Sequence, residues 1–265
     1  MLSGEGASVL VTGGCGGLGG VLSLHLAKKG WTVFPTSRDG ASAEAFREQA
    51  GVLPLHPVVW RWEREEDVRD GFGELERAMG AVGAPPLGAL VHTVASRKPQ
   101  VDWRSLCSAD WEEEYLLSSV RFFEVARRCA LYWRDRALPG AVVAVSSIYG
   151  HHAVDPGIYD DFMMENGLFA GLPYAAAKAA LEHLVRCLAR LWGPWNIRVN
   201  AVAPGGVRNP ERQSVAFVEA YGARTPLGRL GNLEEMGGAV AFLLSSEASY
   251  VTGTVLPVDG GWDTR

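Results

Sequence analysis

Cysteine is scarce in this chain of 265 residues: Cys15, Cys107, Cys129 and Cys187 are the four, widely scattered. No CxxC pair occurs, so neither a disulfide framework nor a thiolate metal site is expected. A reduced, cytoplasmic setting follows as the expectation. Basic blocks are also missing. The net charge is −5 and the pI about 5.7, which argues against a nucleic-acid partner. No apolar run is long enough to span a bilayer. The opening residues Met1-Leu2-Ser3-Gly4-Glu5 lack the basic-then-apolar form of a signal peptide. Internal repeats, low-complexity tracts and an obvious domain linker are absent too. A hydrophobic share of 48% and a charged share of 21% fit a soluble globular chain.

The pattern that remains alternates apolar strands with helices. Ser8–Thr12 reads as strand and about Leu18–Lys29 as helix, stopped at Gly30. Strand at Trp31–Ser37 precedes helix at Ala41–Ala50. Strand at Val52–Trp60 precedes an exposed, charged helix at Arg64–Met79. Leu87–Thr93 is strand and Trp111–Arg136 one long helix. Ala141–Ser147 is a buried-type strand. Tyr174–Trp192 is a helix with Leu181, Leu184, Leu188 and Leu191 on one face. Ile197–Ala203 is strand, Leu233–Ser245 helix and Thr254–Val258 a last strand. This order predicts an α/β, doubly wound parallel sheet of Rossmann type, with ligands outside the carboxyl ends of its strands.

Two local features point to chemistry. Thr12-Gly13-Gly14-Cys15-Gly16-Gly17-Leu18-Gly19 joins the first strand to the first helix. Glycines there permit a tight turn and close approach of a pyrophosphate, which the helix N-terminus attracts. No Gly-Lys-Ser/Thr follows, so it is not a Walker loop. After the second strand, Ser37-Arg38 stands where an acidic residue would bind ribose hydroxyls. The pair favours the 2′-phosphate of NADP over NAD. Further on, Tyr174 and Lys178 lie four apart and share a helix face. A cation beside a phenol lowers its pKa and fits it for proton exchange with an alcohol or carbonyl.

With Thr12–Gly19, Ser147, Tyr174 and Lys178 in place, the chain resembles the short-chain dehydrogenase/reductase family almost end to end. Asn196–Gly206 is similar to the family's sixth strand and the loop under the nicotinamide. The run from Thr225-Pro226-Leu227-Gly228-Arg229 through Ser249–Gly253 to Val258–Gly261 is similar to its C-terminal signature. The resemblance implies one domain over residues 1–265. It implies hydride transfer between NADP(H) and a ketone or secondary alcohol. Tyr174 would be the general acid/base, Lys178 its partner and ribose ligand, and Ser147, rather than Ser146, the residue that orients the substrate oxygen. Pro204, Gly205 and Val207 would line the nicotinamide pocket. A homo-oligomer, dimer or tetramer, would pair the long helices carrying Cys129 and Cys187.

Four departures from the family pattern stand out. His92-Thr93-Val94-Ala95 replaces Asn-Asn-Ala-Gly; the loop is still expected to pass the adenosine ribose, Ala95 included. Ser118 occupies the place of the tetrad asparagine and is not expected to supply its helix distortion. Trp60-Arg61-Trp62-Glu63 replaces the acid that meets adenine. Asn209 replaces a threonine that contacts the nicotinamide amide. The segment of about 148–173 between the serine and the tyrosine is longer than usual. It contains His151, His152, Asp155, Tyr159, Asp160, Asp161, Glu165 and Asn166. Tyr159 sits near the usual spacing, but Met163 follows where the lysine would be. The adjacent histidines are expected to diverge, so no metal is assigned. Ser147-Ile148-Tyr149-Gly150 with this loop is similar to bacterial reductases of surface-sugar pathways, which implies a hydroxyl-rich substrate. An epimerase or dehydratase that recycles its nicotinamide, or a non-catalytic cofactor-binding subunit, is the alternative.

Overall fold

A computed structural model describes residues 6–62, 64–96, 103–159, 171–211 and 213–264. Seven strands form one sheet: β1 Ser8–Thr12, β2 Thr32–Ser37, β3 Val58–Val59, β4 Leu87–His92, β5 Gly140–Val145, β6 Ile197–Pro204 and β7 Val255–Val258. Their order is β3-β2-β1-β4-β5-β6-β7, and every pair is parallel. The central strands are apolar on both faces because helices cover both. The helices are α1 Gly17–Lys28, α2 Gly40–Ala50, α3 Glu65–Ala81, α4 Ser108–Tyr115, α5 Arg121–Asp135, α6 Leu172–Trp192, α7 Val215–Arg224 and α8 Leu233–Leu244. One core lies between the sheet and α3, α5 and α6; the other lies under α1, α2 and α8. Strand order reverses between β1 and β4, which opens a crevice at their carboxyl ends.

Local chemistry sets the ends of these elements. Past α1, Gly30 takes φ +89, so the Gly30 N–H reaches the Ala27 carbonyl and the Trp31 N–H the Leu26 carbonyl. That pair of hydrogen bonds ends the helix and turns buried Trp31 into β2. Asp39 begins α2 by accepting from the Ser42 N–H at 2.8 Å.

Several elements differ from expectation. The third strand shrinks to two residues. Only Leu55 adds an isolated bridge to Val33, because Trp60 and Trp62 turn inward and stack at 4.9 Å. Helix α3 is not a purely exposed helix: Val68, Phe72, Leu75 and Met79 are buried in the first core. On α6, Leu181 and Leu188 are buried, but Leu191 is exposed. Helix α7 had no counterpart in the sequence reading. The long helix expected over Trp111–Arg136 is broken by a π turn at Leu116–Val120. The extra residue lets the Ser119 hydroxyl donate to the Ala177 carbonyl of α6 at 3.2 Å. Helix distortion is therefore present despite Ser118. No helix among the described residues is long and apolar enough to cross a membrane.

His92 ties this region together. It is buried at the end of β4, with Nδ1 2.9 Å from the Thr12 hydroxyl and Nε2 3.4 Å from the Leu117 carbonyl. The carbonyl can only accept, which puts the proton on Nε2. Burial, reinforced by Lys178, pulls its pKa down to about 3. The folded protein thus refuses a proton that the unfolded chain accepts near pH 6.5. The stability involved is present above pH 6.5 and is lost as pH falls towards 3. In that window His92 removes about 1.4 kcal/mol per pH unit. Denaturant unfolding from pH 7 to 4 should show a decline shallower by about that slope in His92→Asn. An unchanged slope would contradict this role.

Candidate active site

The crevice at the strand reversal holds a cleft of about 590 Å³. Its floor is the glycine turn. Gly13 takes φ +68 and donates its N–H to the Thr36 hydroxyl at 3.0 Å. At Gly19 a side chain would stand 2.3 Å from the Gly13 carbonyl oxygen, so only glycine fits. Gly16 caps α1 without a side-chain acceptor, and Gly17 is the helix's first residue. The first N–H groups of α1 are thus left for an anion. Gly13, Cys15, Gly16, Leu18 and Gly19 line the cleft, as do Ser37 and Arg38 from the end of β2 and Ala95 beyond β4. Burial pushes the Cys15 thiol up to about 12, which leaves it unreactive. The sequence reading missed Trp62, Glu113, Leu116 and Leu117 on the opposite wall. Trp62 is held there because its carbonyl accepts from Arg121 Nε at 2.7 Å, and Arg121 is itself paired with buried Glu124. An aromatic beside missing acidic chemistry was the available signal.

Beyond β5 stands the second cluster. Ser146 and Ser147 part company: Ser146 donates to Glu182 at 2.8 Å, while Ser147 caps the short turn Ile148–Gly150 through the Tyr149 N–H. Lys178, on α6, is buried and donates to the Val145 carbonyl at 3.0 Å. Its ammonium lies 5.5 Å from the centre of the Tyr174 ring. Burial lowers the lysine to about 8, opposed by Glu114 and Glu182. The tyrosine corrects the expectation of a lowered phenol. Burial pushes it up to about 12, only partly offset by a hydrogen bond with Ser147, and Glu114 and Tyr159 push it further up. The Tyr174 phenol is therefore held in its protonated form more firmly than an ordinary tyrosine. The rival Tyr159 is spent elsewhere, its hydroxyl 2.9 Å from that of Tyr149.

Ser118 is fully buried and donates to Glu114 Oε1 at 2.9 Å. Glu114, a buried carboxylate raised mainly by its burial, was not foreseen. The only sequence signal was an acid four residues before Ser118 on one helix face. Pro204 ends β6; Gly205 donates to the Val258 carbonyl at 3.1 Å, and Val207 bridges Gly231. Asn209 does not aim its amide into the cleft described above. Its side-chain oxygen accepts from the Glu211 N–H, and its own N–H donates to Gln213. Asp160, Asp161, Glu165 and Asn166 lie outside the described residues. The expected divergence of His151 and His152 does not hold. Both rings approach Asp263, with centres 5.2 Å apart.

A glycine cradle at a helix start, a serine-tyrosine-lysine cluster and this strand order occur together in one family. The family model described as enoyl-(acyl carrier protein) reductase matches residues 14–263. The chain belongs to the short-chain dehydrogenase/reductase family. A tropinone reductase homolog of Arabidopsis thaliana is 32% identical, over 97% of this chain and 92% of its own. Gluconate 5-dehydrogenase of Gluconobacter oxydans is 29% identical, covering 97% and 94%. Among solved structures, a short-chain dehydrogenase of Leptospira borgpetersenii with bound NAD+ superposes with TM-score 0.82 at 26% identity, covering 97% and 93%. A gluconate 5-dehydrogenase of Burkholderia cenocepacia in complex with NADP and tartrate gives 0.81 at 25%, covering 98% and 96%. This member of the short-chain dehydrogenase/reductase family is thus an oxidoreductase. Its glycine cradle, with side chains excluded at Gly19, fits a nicotinamide dinucleotide.

Proposed function

We propose that the protein interconverts a ketone and a secondary alcohol with NADP(H), acting on a small hydroxyl-rich molecule. The arrangement that supports the chemistry is the Tyr174 phenol hydrogen-bonded to Ser147, with the Lys178 ammonium 5.5 Å from its ring centre. When bound, the nicotinamide supplies or accepts the hydride. Ser147 holds the substrate oxygen beside the phenol. Tyr174 donates its proton to that oxygen as the carbonyl is reduced, and takes it back in oxidation. Lys178 stabilises the phenolate left behind and holds the nicotinamide ribose. Pro204, Gly205 and Val207 flank the nicotinamide side.

Arg38 and Ser37 support NADP, since a guanidinium at the end of β2 can pair with a 2′-phosphate. Trp62 offers an aromatic face to the adenine in place of the family's acid. The hydroxyl-rich substrate is supported by two relatives named for sugar acids and sugars, gluconate 5-dehydrogenase and glucose 1-dehydrogenase. The polar residues of the segment after Ser147 point the same way. Exposed Leu131 on α5 and Leu191 on α6 support pairing of those helices in a homo-oligomer. Four free cysteines are compatible with a reduced cytoplasm.

Two variants test this reading. Tyr174→Phe should cut kcat by about 100-fold or more while cofactor affinity, read by fluorescence titration, stays close to that of the parent. Near-normal turnover would refute the acid/base role. Arg38→Ala should raise the KM for NADPH by about tenfold to a hundredfold, the worth of a hydrogen bond to a charged group, and leave that for NADH almost unchanged. Equal effects on both cofactors would contradict the assignment.

A further inference from the structure

Two imidazoles and a carboxylate converge just past the short turn Ile148–Gly150. His151 Nε2 lies 3.3 Å from Asp263 Oδ1, and His152 Nε2 contacts the same oxygen. One donor atom from each residue falls within 4.8 Å of the others. Donors at about 2.0–2.2 Å from one ion lie at most about 4.4 Å apart, so a small side-chain shift closes the three around a single ion. We propose that His151, His152 and Asp263 bind one divalent transition-metal ion of the zinc type. Water would complete the coordination. Imidazole with carboxylate selects zinc, nickel or copper over calcium and magnesium.

The surroundings carry the argument beyond proximity. His151 Nδ1 lies 3.0 Å from Oε1 of Glu182, a carboxylate that is almost fully buried and also accepts from Ser146. A proton on Nδ1 leaves the Nε2 lone pair facing Asp263. Two acceptors in contact repel unless a cation lies between them. A second proton on His151 is the other solution, and it sets a full imidazolium beside the His152 ring, whose centre is 5.2 Å away. One ion satisfies all three donors, and Glu182 then orients the histidine from behind, as buried carboxylates do in zinc sites. Both ligand-bearing segments are held in place. The N–H groups of His151 and His152 donate to the Ile148 carbonyl at 3.2 and 2.8 Å. The Asp263 N–H donates to Asp259 at 2.8 Å, and neighbouring Trp262 stacks on Tyr221 at 4.3 Å.

The ion would clamp the Trp262–Thr264 turn onto the loop that directly follows Ser147. Through Glu182 it would also sit one residue away from Lys178's charge environment. The site stands on its own ligands, independent of the hydride reading.

The test uses full-length protein without a histidine tag, stripped of metal by a chelator. Zinc chloride titrated by calorimetry should bind with one equivalent per chain, and cobalt(II) should give the visible bands of a four- or five-coordinate ion. His152→Gln and Asp263→Asn should each weaken binding by about tenfold or more, and Glu182→Gln by about tenfold to a hundredfold. Zinc should raise the melting temperature of the parent but not of His152→Gln or Asp263→Asn. Circular dichroism of the metal-free variants checks their fold. Absence of stoichiometric binding, or affinity unchanged in His152→Gln and Asp263→Asn, overturns the proposal.

Discussion

The arrangement depends on one buried ammonium. Lys178 leaves α6 and donates to the carbonyl of Val145, the last residue of β5. Burying such a group is costly unless partners hold its charge. Here two buried carboxylates, Glu114 and Glu182, hold the lysine up against the desolvation that pulls it down to about 8. That single contact fixes α6 against the strand end. It thereby places Tyr174, one turn earlier, beside Ser147 at the carboxyl edge of the sheet. Each carboxylate has its own support: Ser118 donates to Glu114, and Ser146 donates to Glu182. The cation thus organises side chains from β5, α4, the π turn and α6.

Departures from the family pattern are consistent with this reading. The asparagine usually found at the π turn is Ser118, yet the turn itself is kept. Its extra residue is stitched to α6 by Ser119, so distortion there does not require asparagine. The Ser118 hydroxyl donates instead to the buried Glu114 carboxylate. On the cofactor side, the loss of an acid after β3 accompanies two buried, stacked tryptophans, of which Trp62 also lines the cleft. His92 replaces a small polar residue and is locked neutral between Thr12 and Leu117. It acts as a strut between two strands and the π turn.

Much of this was legible from the residues. Apolar runs and the glycine turn marked β1, α1 and the parallel sheet. The pairing of Tyr174 with Lys178 followed from helix periodicity, a short-range rule, while the choice of Ser147 over Ser146 came from the family resemblance. What failed was tertiary. The sign of the Tyr174 shift depends on how much protein surrounds the phenol, and burial outweighs the hydrogen bond with Ser147. The shortening of β3 follows from Trp60 turning inward. Glu114 carries no local mark in the sequence; its burial comes from α4 packing against α6. Histidines adjacent in sequence met a partner 111 positions away, Asp263, which no local spacing could reveal.

The central claim is that a buried lysine charge supports proton transfer from Tyr174. The pH profile of kcat/KM for ketone reduction with reduced cofactor tests it most directly. The account predicts a plateau at lower pH and a falling limb with an apparent pKa within about one unit of 8, as Lys178 loses its charge. In Lys178→Met that limb should vanish, and the rate should be low at every pH. A profile flat from pH 7 to 10 in the parent, or the same limb in both proteins, would contradict the account.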